Sequence, residues 1–216
     1  MSVSSEFKPY IYVLLGSLGS GKGTFAEAIK SKGGEYVELH SGMHIHDAAE
    51  GIQDIVLQRL EKAASEGKGV ILKGYPETIK DCLAFEDCIK KNAWNDRVFV
   101  ILIRVKPEFA LERIFYRQTC ESCHKIYNLK FSPSKMGDKC ATCSGTLGER
   151  ITSIDEAAKN RIDAFDTKIQ AVVDRYKPVN SLYELEGNFD IDTCKLGYAT
   201  FLNALHKKPP IRPFQP

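Results

Sequence analysis

Nine residues, Gly16-Ser-Leu-Gly-Ser-Gly-Lys-Gly-Thr24, constrain this chain more than any other stretch. They follow an apolar run, Ile11–Leu15, and open a helical pattern over Thr24–Lys30. The G-x4-G-K spacing leaves a loop of small residues whose backbone N–H groups can wrap an anion. A helix N-terminus adds partial positive charge, and Lys22 supplies a mobile full charge for outer phosphates. Gly16, Gly19, Ser20, Gly21, Lys22, Gly23 and Thr24 are therefore candidate polyphosphate ligands, with the Thr24 hydroxyl a candidate for Mg²⁺. The loop does not identify what receives a phosphate.

The remaining pattern fits one fold class. Continuous apolar, β-branched runs at Ile11–Leu15, Tyr36–Leu39, Val70–Leu72, Val98–Val105 and Leu182–Leu185 predict parallel strands buried on both faces. Helical patterns lie between them. Over Asp47–Glu66, Ile52, Ile55, Val56, Leu60 and Ala63 form one stripe. Pro107 suits the first turn of a helix carrying Leu111, Ile114 and Phe115, and a single later helix over Ile154–Tyr176 stops before Pro178. The expectation is an α/β protein with a doubly wound, parallel five-stranded sheet.

Composition narrows the classes. With 43% hydrophobic and 27% charged residues the chain is too apolar for general disorder. A net charge of +2 gives no broad field for nucleic acid or anionic membrane. Its longest apolar run, Val98–Ile103, is too short to span a bilayer. MSVSSEFKPY has no apolar stretch after a basic start, so no signal peptide and a cytoplasmic location are expected; a monomer is the expected state.

Seven cysteines are unusual for such a chain. Cys120-x2-Cys123 and Cys140-x2-Cys143 are separated by sixteen residues, two thiolate hooks able to close a tetrahedral Zn²⁺ site with no open position. A small module over 120–150 has few apolar residues to hold it otherwise. His124 lies outside the hook spacing, and Cys82, Cys88 and Cys194 read as small buried hydrophobes. The expected organisation is a core over 8–119 and 151–205, a zinc-binding lid over 120–150 and a proline-rich tail over 206–216.

Loop and hooks together resemble the adenylate kinases, in the form with a zinc-bearing lid. GSLGSGKGT resembles that family's phosphate loop, with Leu18 where proline is usual. Val70-Ile-Leu-Lys-Gly-Tyr-Pro-Glu-Thr78 resembles its strand ending in Asp-Gly-Phe-Pro-Arg-Thr. Arg113-x3-Arg117 before the first hook, and Arg150 and Arg161 after the second, match its arginine spacing. The resemblance implies ATP as donor: Lys22 on the β- and γ-phosphates, Arg113 against the adenine, and Arg117, Arg150 and Arg161 neutralising the transferring phosphoryl group. Such transfer needs positioning and positive charge more than covalent help.

The acceptor half departs from the pattern. The family's Ser-Thr-Gly-Asp segment and its monophosphate-binding arginine become His40-Ser-Gly-Met-His-Ile-His46, and the second arginine becomes Glu77. Its magnesium-holding acid becomes Lys73, an ammonium able to take over part of the cation's charge. The lid's Asp-Asp becomes Thr152-Ser153. Only thirty residues separate Gly42 from Lys73, too few for the family's helical monophosphate flap. Two functions follow: an ATP-dependent nucleotide kinase with an atypical, unidentified acceptor side, or a catalytically impaired relative that senses nucleotide.

Overall fold

In the computed structural model, residues 9–40, 52–148, 154, 156–178 and 182–207 are described. The apolar runs become strands β1 (Ile11–Leu15), β2 (Tyr36–His40), β3 (Gly69–Lys73), β4 (Val98–Arg104) and, later, β7 (Leu182–Glu186). They pair in parallel in the order β2-β3-β1-β4-β7. Because side chains alternate along a strand, each central strand feeds two cores. Val13, Leu15, Val70, Leu72, Val100 and Leu102 pack on one face with α2 (Ile52–Ser65), α3 (Ile79–Lys91) and α6 (Phe165–Tyr176). Tyr12, Leu14, Ile71, Phe99, Ile101 and Ile103 pack on the other with α1 (Lys22–Lys30) and α7 (Ile191–Leu205). Full burial on both sides explains why these runs are continuous rather than alternating.

In α2, Val56, Leu60 and Ala63 are buried and Ile55 is half-buried, as the stripe required. Residues 47–51 of the expected helix lie outside the described residues. Cys82, Cys88 and Cys194 are buried in the two cores.

One expectation is corrected. The pattern over Ile154–Tyr176 forms two helices, α5 (Glu156–Asp163) and α6, broken at Ala164. The reason lies in packing. Ile162 of α5 joins Ala110 and Ile114 of α4 (Pro107–Phe115), whereas Ile169, Val172, Val173 and Tyr176 of α6 face the main core. A straight helix could not serve both surfaces.

Following α4, β5 (Arg117–Thr119) and β6 (Ile126–Asn128) pair antiparallel at the start of the cysteine-bearing segment. The loop Gly16–Gly21 leaves β1 at its C-terminal end, where β3 lies on one side and β4 on the other. Crevices at such crossover points are the ligand positions of doubly wound sheets.

The α3–α6 contact contains a buried charge. Glu86, 5% exposed, accepts two hydrogen bonds from the Arg175 guanidinium, both 2.5 Å. Removing the arginine strands a buried carboxylate. Arg175→Ala is expected to cost about 3 kcal/mol in urea unfolding; unchanged stability would contradict a structural role for the pair.

Candidate phosphate-transfer site

The loop is wedged so tightly that it requires glycine. Gly16 has φ +153°, and a Cβ there would stand 2.4 Å from Ser20 Oγ and 2.8 Å from the Ile103 carbonyl of β4. Gly19 has φ +81°, and its Cβ would stand 2.6 Å from the Ala110 carbonyl of α4. The loop is thus pinned between a strand end and a helix, with its backbone close to anything bound above it. Ser20 is fully buried, and the buried Ser17 hydroxyl has no partner among the described residues. Thr24 lies half-buried in the first turn of α1.

Lys22 folds back over this loop. Its ammonium donates to the Gly16 carbonyl at 2.7 Å and the Ser17 carbonyl at 2.8 Å. Burial pushes its pKa down to about 8; Arg117 adds to the shift, Glu77 opposes it, and Lys73 and Arg161 contribute smaller repulsions. Four further charges therefore act on the same amine. Three are cations, an excess of positive charge that an anion would relieve.

The arginines divide by environment. Burial lowers the pKa of the Arg117 guanidinium, for which the described residues supply no hydrogen-bond partner. An unpaired, partly buried guanidinium is strained by desolvation and relieved by an anion. Arg113 is instead engaged with backbone carbonyls: Gly187 at 2.6 Å, Phe189 at 2.7 Å, and more loosely Gly19 and Ser20. It ties the phosphate loop to the β7–α7 connection, a positional role that its spacing alone did not reveal. Arg161 is exposed on α5. Arg150, Thr152, Ser153, Ser41–His46 and the tail from residue 208 lie outside the described residues.

Lys73 ends β3 beside His40 of β2 and forms an ion pair with Glu38. Glu38 also pairs with Lys30, which reaches Glu27 at 3.2 Å, and Glu27 accepts from Lys125 at 3.1 Å. A chain of alternating charges thus runs from the cysteine segment across α1 to the end of β3. Burial would raise the Glu38 carboxyl, but hydrogen bonds from Lys30 and Lys73 outweigh it and hold the group below its ordinary value. Glu77 is likewise not bare: it pairs with Lys168 of α6. Glu38, Lys30 and Lys168 were missed because their neighbours are distant in sequence; Glu38, a lone acid in an apolar run, was the available signal.

Cys120, Cys123, Cys140 and Cys143 place their sulfurs within 4.8 Å of one another. Cys120–Cys143 and Cys123–Cys140 separations are 3.5 and 3.6 Å, far beyond a disulfide bond and close to the edge, about 3.8 Å, of a tetrahedron with Zn–S bonds of about 2.3 Å. The two hooks are built alike. His124 N–H donates to the Cys120 carbonyl at 3.0 Å and Ser144 N–H to the Cys140 carbonyl at 2.8 Å; both donors have left-handed φ, 58° and 61°. His124 therefore shapes a hook through its backbone and is exposed. Tyr127 hydroxyl lies 3.3 Å from Cys140 Sγ, and Cys120, Tyr127, Cys140 and Leu147 are the segment's whole apolar core.

Sheet order, phosphate loop and flanking helices define a P-loop nucleotide kinase fold, and the four clustered cysteines could hold a metal ion. Residues 117–150 match the family model described as "Adenylate kinase, active site lid". The chain is similar to "Adenylate kinase" of Thermosipho melanesiensis, 31% identical across 84% of this chain and 94% of that protein. It is also similar to "Adenylate kinase" of Thermosipho africanus, at 32% with the same coverage, and of Archaeoglobus fulgidus, at 28% over 83% of this chain and 92% of that protein. The chain belongs to the adenylate kinase family and is a phosphotransferase of the nucleotide-kinase type. No helix among the described residues is long and apolar enough to cross a membrane.

The depressed Lys22 pKa has a direct readout. Labelling by an amine-reactive reagent, resolved by peptide mapping, is expected to show Lys22 titrating near pH 8, well below the ion-paired Lys30 and Lys130, whose carboxylate partners raise their pKa. A Lys22 midpoint equal to theirs would contradict the crowded-cation description.

Proposed function

We propose that this chain transfers the γ-phosphoryl group of ATP to a nucleoside monophosphate that it grips differently from a conventionally held AMP. What carries the reading is the gathering of Lys22, Arg117 and Arg161 about the phosphate loop. Loop amides and Lys22 hold the β- and γ-phosphates; Arg113 positions the loop and borders the base. An acceptor oxygen attacks the γ-phosphorus as its bond to the β,γ-bridging oxygen breaks, and the electron pair leaves with ADP. Arg117, Arg150 and Arg161 offset the charge spreading over the equatorial oxygens. ADP formation is expected to require an added nucleoside monophosphate and to fall at least a thousandfold in Lys22→Ala. ATP binding without acceptor-dependent turnover would contradict the kinase reading and favour a nucleotide sensor, which Lys73 and Glu77 support in place of the family's usual residues.

The four cysteines fit one structural Zn²⁺, which would fix the two hooks and leave no position for substrate. Native protein is expected to keep these thiols unreactive until a chelator is added. Immediate modification of the outward-facing Cys123 and Cys143 in untreated protein would contradict zinc ligation.

The strand end does not fit a carboxylate-held Mg²⁺. Lys73 stands there, and the nearby Glu38 is occupied by Lys30 and Lys73. Nucleotide affinity is accordingly expected to change only a few-fold on adding Mg²⁺, measured by calorimetry against a chelated control. Tight binding only with Mg²⁺ would contradict this role for Lys73.

A further inference from the structure

The acceptor side carries an acid, Glu77, where a dianionic substrate must approach, yet the surrounding structure answers it with a cation from another element. Glu77 follows β3 by four residues and is held firmly. Asp81 accepts from the Glu77 amide at 3.1 Å and the Thr78 amide at 3.0 Å, while Thr78 caps α3 in return. It lies beyond the C-terminal end of β3, which pairs with the strand leading into the phosphate loop, and its carboxylate opposes the lowering of the Lys22 pKa. There it pairs with Lys168.

Lys168 is also placed deliberately by its helix. Arg104, the last residue of β4, reaches Asp166 in the first turn of α6 at 3.1 Å and Glu184 of β7 at 2.7 Å. Those contacts hold the start of α6 at the strand ends that carry the phosphate loop. Phe165 and Ile169 pack into the main core beneath it, which leaves Lys168 outward, 56% exposed, on the crevice side. Arg161, on the preceding helix α5, already acts on Lys22. The ammonium therefore stands beside Glu77, just beyond the end of β3, with one half-buried partner and two further donors.

We propose that Lys168 binds the phosphate of the acceptor, with Glu77 as its resting counter-ion. In the free protein Glu77 holds the ammonium at the crevice rim. An arriving monophosphate competes for it, and a dianion outcompetes a single half-buried carboxylate because partly exposed ion pairs are weak and charge-assisted bonds to phosphate are strong. Glu77 then weakens acceptor binding twice, by holding Lys168 and by repelling the phosphate. This rests on the kinase reading and identifies the cation that serves it.

The test is calorimetric binding of AMP and of ATP to wild type, Lys168→Ala and Glu77→Gln, with turnover alongside. Lys168 is exposed and Glu77 half-buried, and matching thermal unfolding confirms that each variant is folded. The expected result is an AMP Kd about tenfold weaker in Lys168→Ala, with ATP Kd unchanged in that variant, and an AMP Kd several-fold tighter in Glu77→Gln. Lys168→Arg should keep most of the AMP affinity. An AMP Kd that Lys168→Ala leaves within twofold overturns the proposal while acceptor-dependent turnover stands. Wild-type protein that binds ATP but no nucleoside monophosphate overturns both this and the kinase reading.

Discussion

A lysine ammonium drawn into a glycine loop is the constraint on which the rest of this structure depends. Lys22 needs the carbonyls of Gly16 and Ser17 to compensate for burial, and the loop can offer them only by staying close to β4 and α4. That closeness forbids side chains at Gly16 and Gly19. It also requires β1 to sit at the centre of the sheet, flanked by β3 and β4, so that both walls exist. The two buried cores keep those strands in register. Fold and site thus share one requirement.

The second consequence is electrostatic. Arg117, Lys73 and Arg161 crowd the Lys22 amine, and Glu77 alone among the major contributors opposes them. Such a crevice is unfavourable without an anion and becomes favourable when phosphates enter. The ion pairs at its edges, Lys73 with Glu38 and Lys168 with Glu77, temper that excess in the free protein. Both are partly exposed, so they contribute modestly to stability and can rearrange at little cost. Lys125 with Glu27 joins the cysteine-bearing segment to the same series of charges.

Much of the fold was legible because continuous apolar runs and turn residues admit few arrangements. The five strand positions of the large sheet were readable within a residue or two; β1, β3 and β4 are buried on both faces as expected, whereas the edge strands β2 and β7 are only partly buried because each has a neighbour on one side alone. The break at Ala164 was not legible: Ile162 and Ile169 share a helical period, and only three-dimensional packing shows that they serve different cores. The phosphate loop and both cysteine hooks were visible because their chemistry depends on short spacings. Partners brought together across the sheet were hidden. Glu38 to Lys73 spans 35 residues and Glu77 to Lys168 spans 91, and no local pattern encodes such pairs. Arg113 matched by spacing, but its engagement with the Gly187 and Phe189 carbonyls required the fold.

The central claim is that the crowded, depressed Lys22 amine is made for a polyphosphate. It is tested most directly by the protons that accompany ATP binding. Phosphates stabilise the ammonium, so at pH 8, where the free protein's Lys22 is partly neutral, binding should take up protons. Calorimetry in two buffers of different ionisation enthalpy measures that uptake, with Lys22→Met as reference for every other titrating group. Greater uptake in wild type than in Lys22→Met is the predicted result. Equal proton exchange in the two proteins would contradict it.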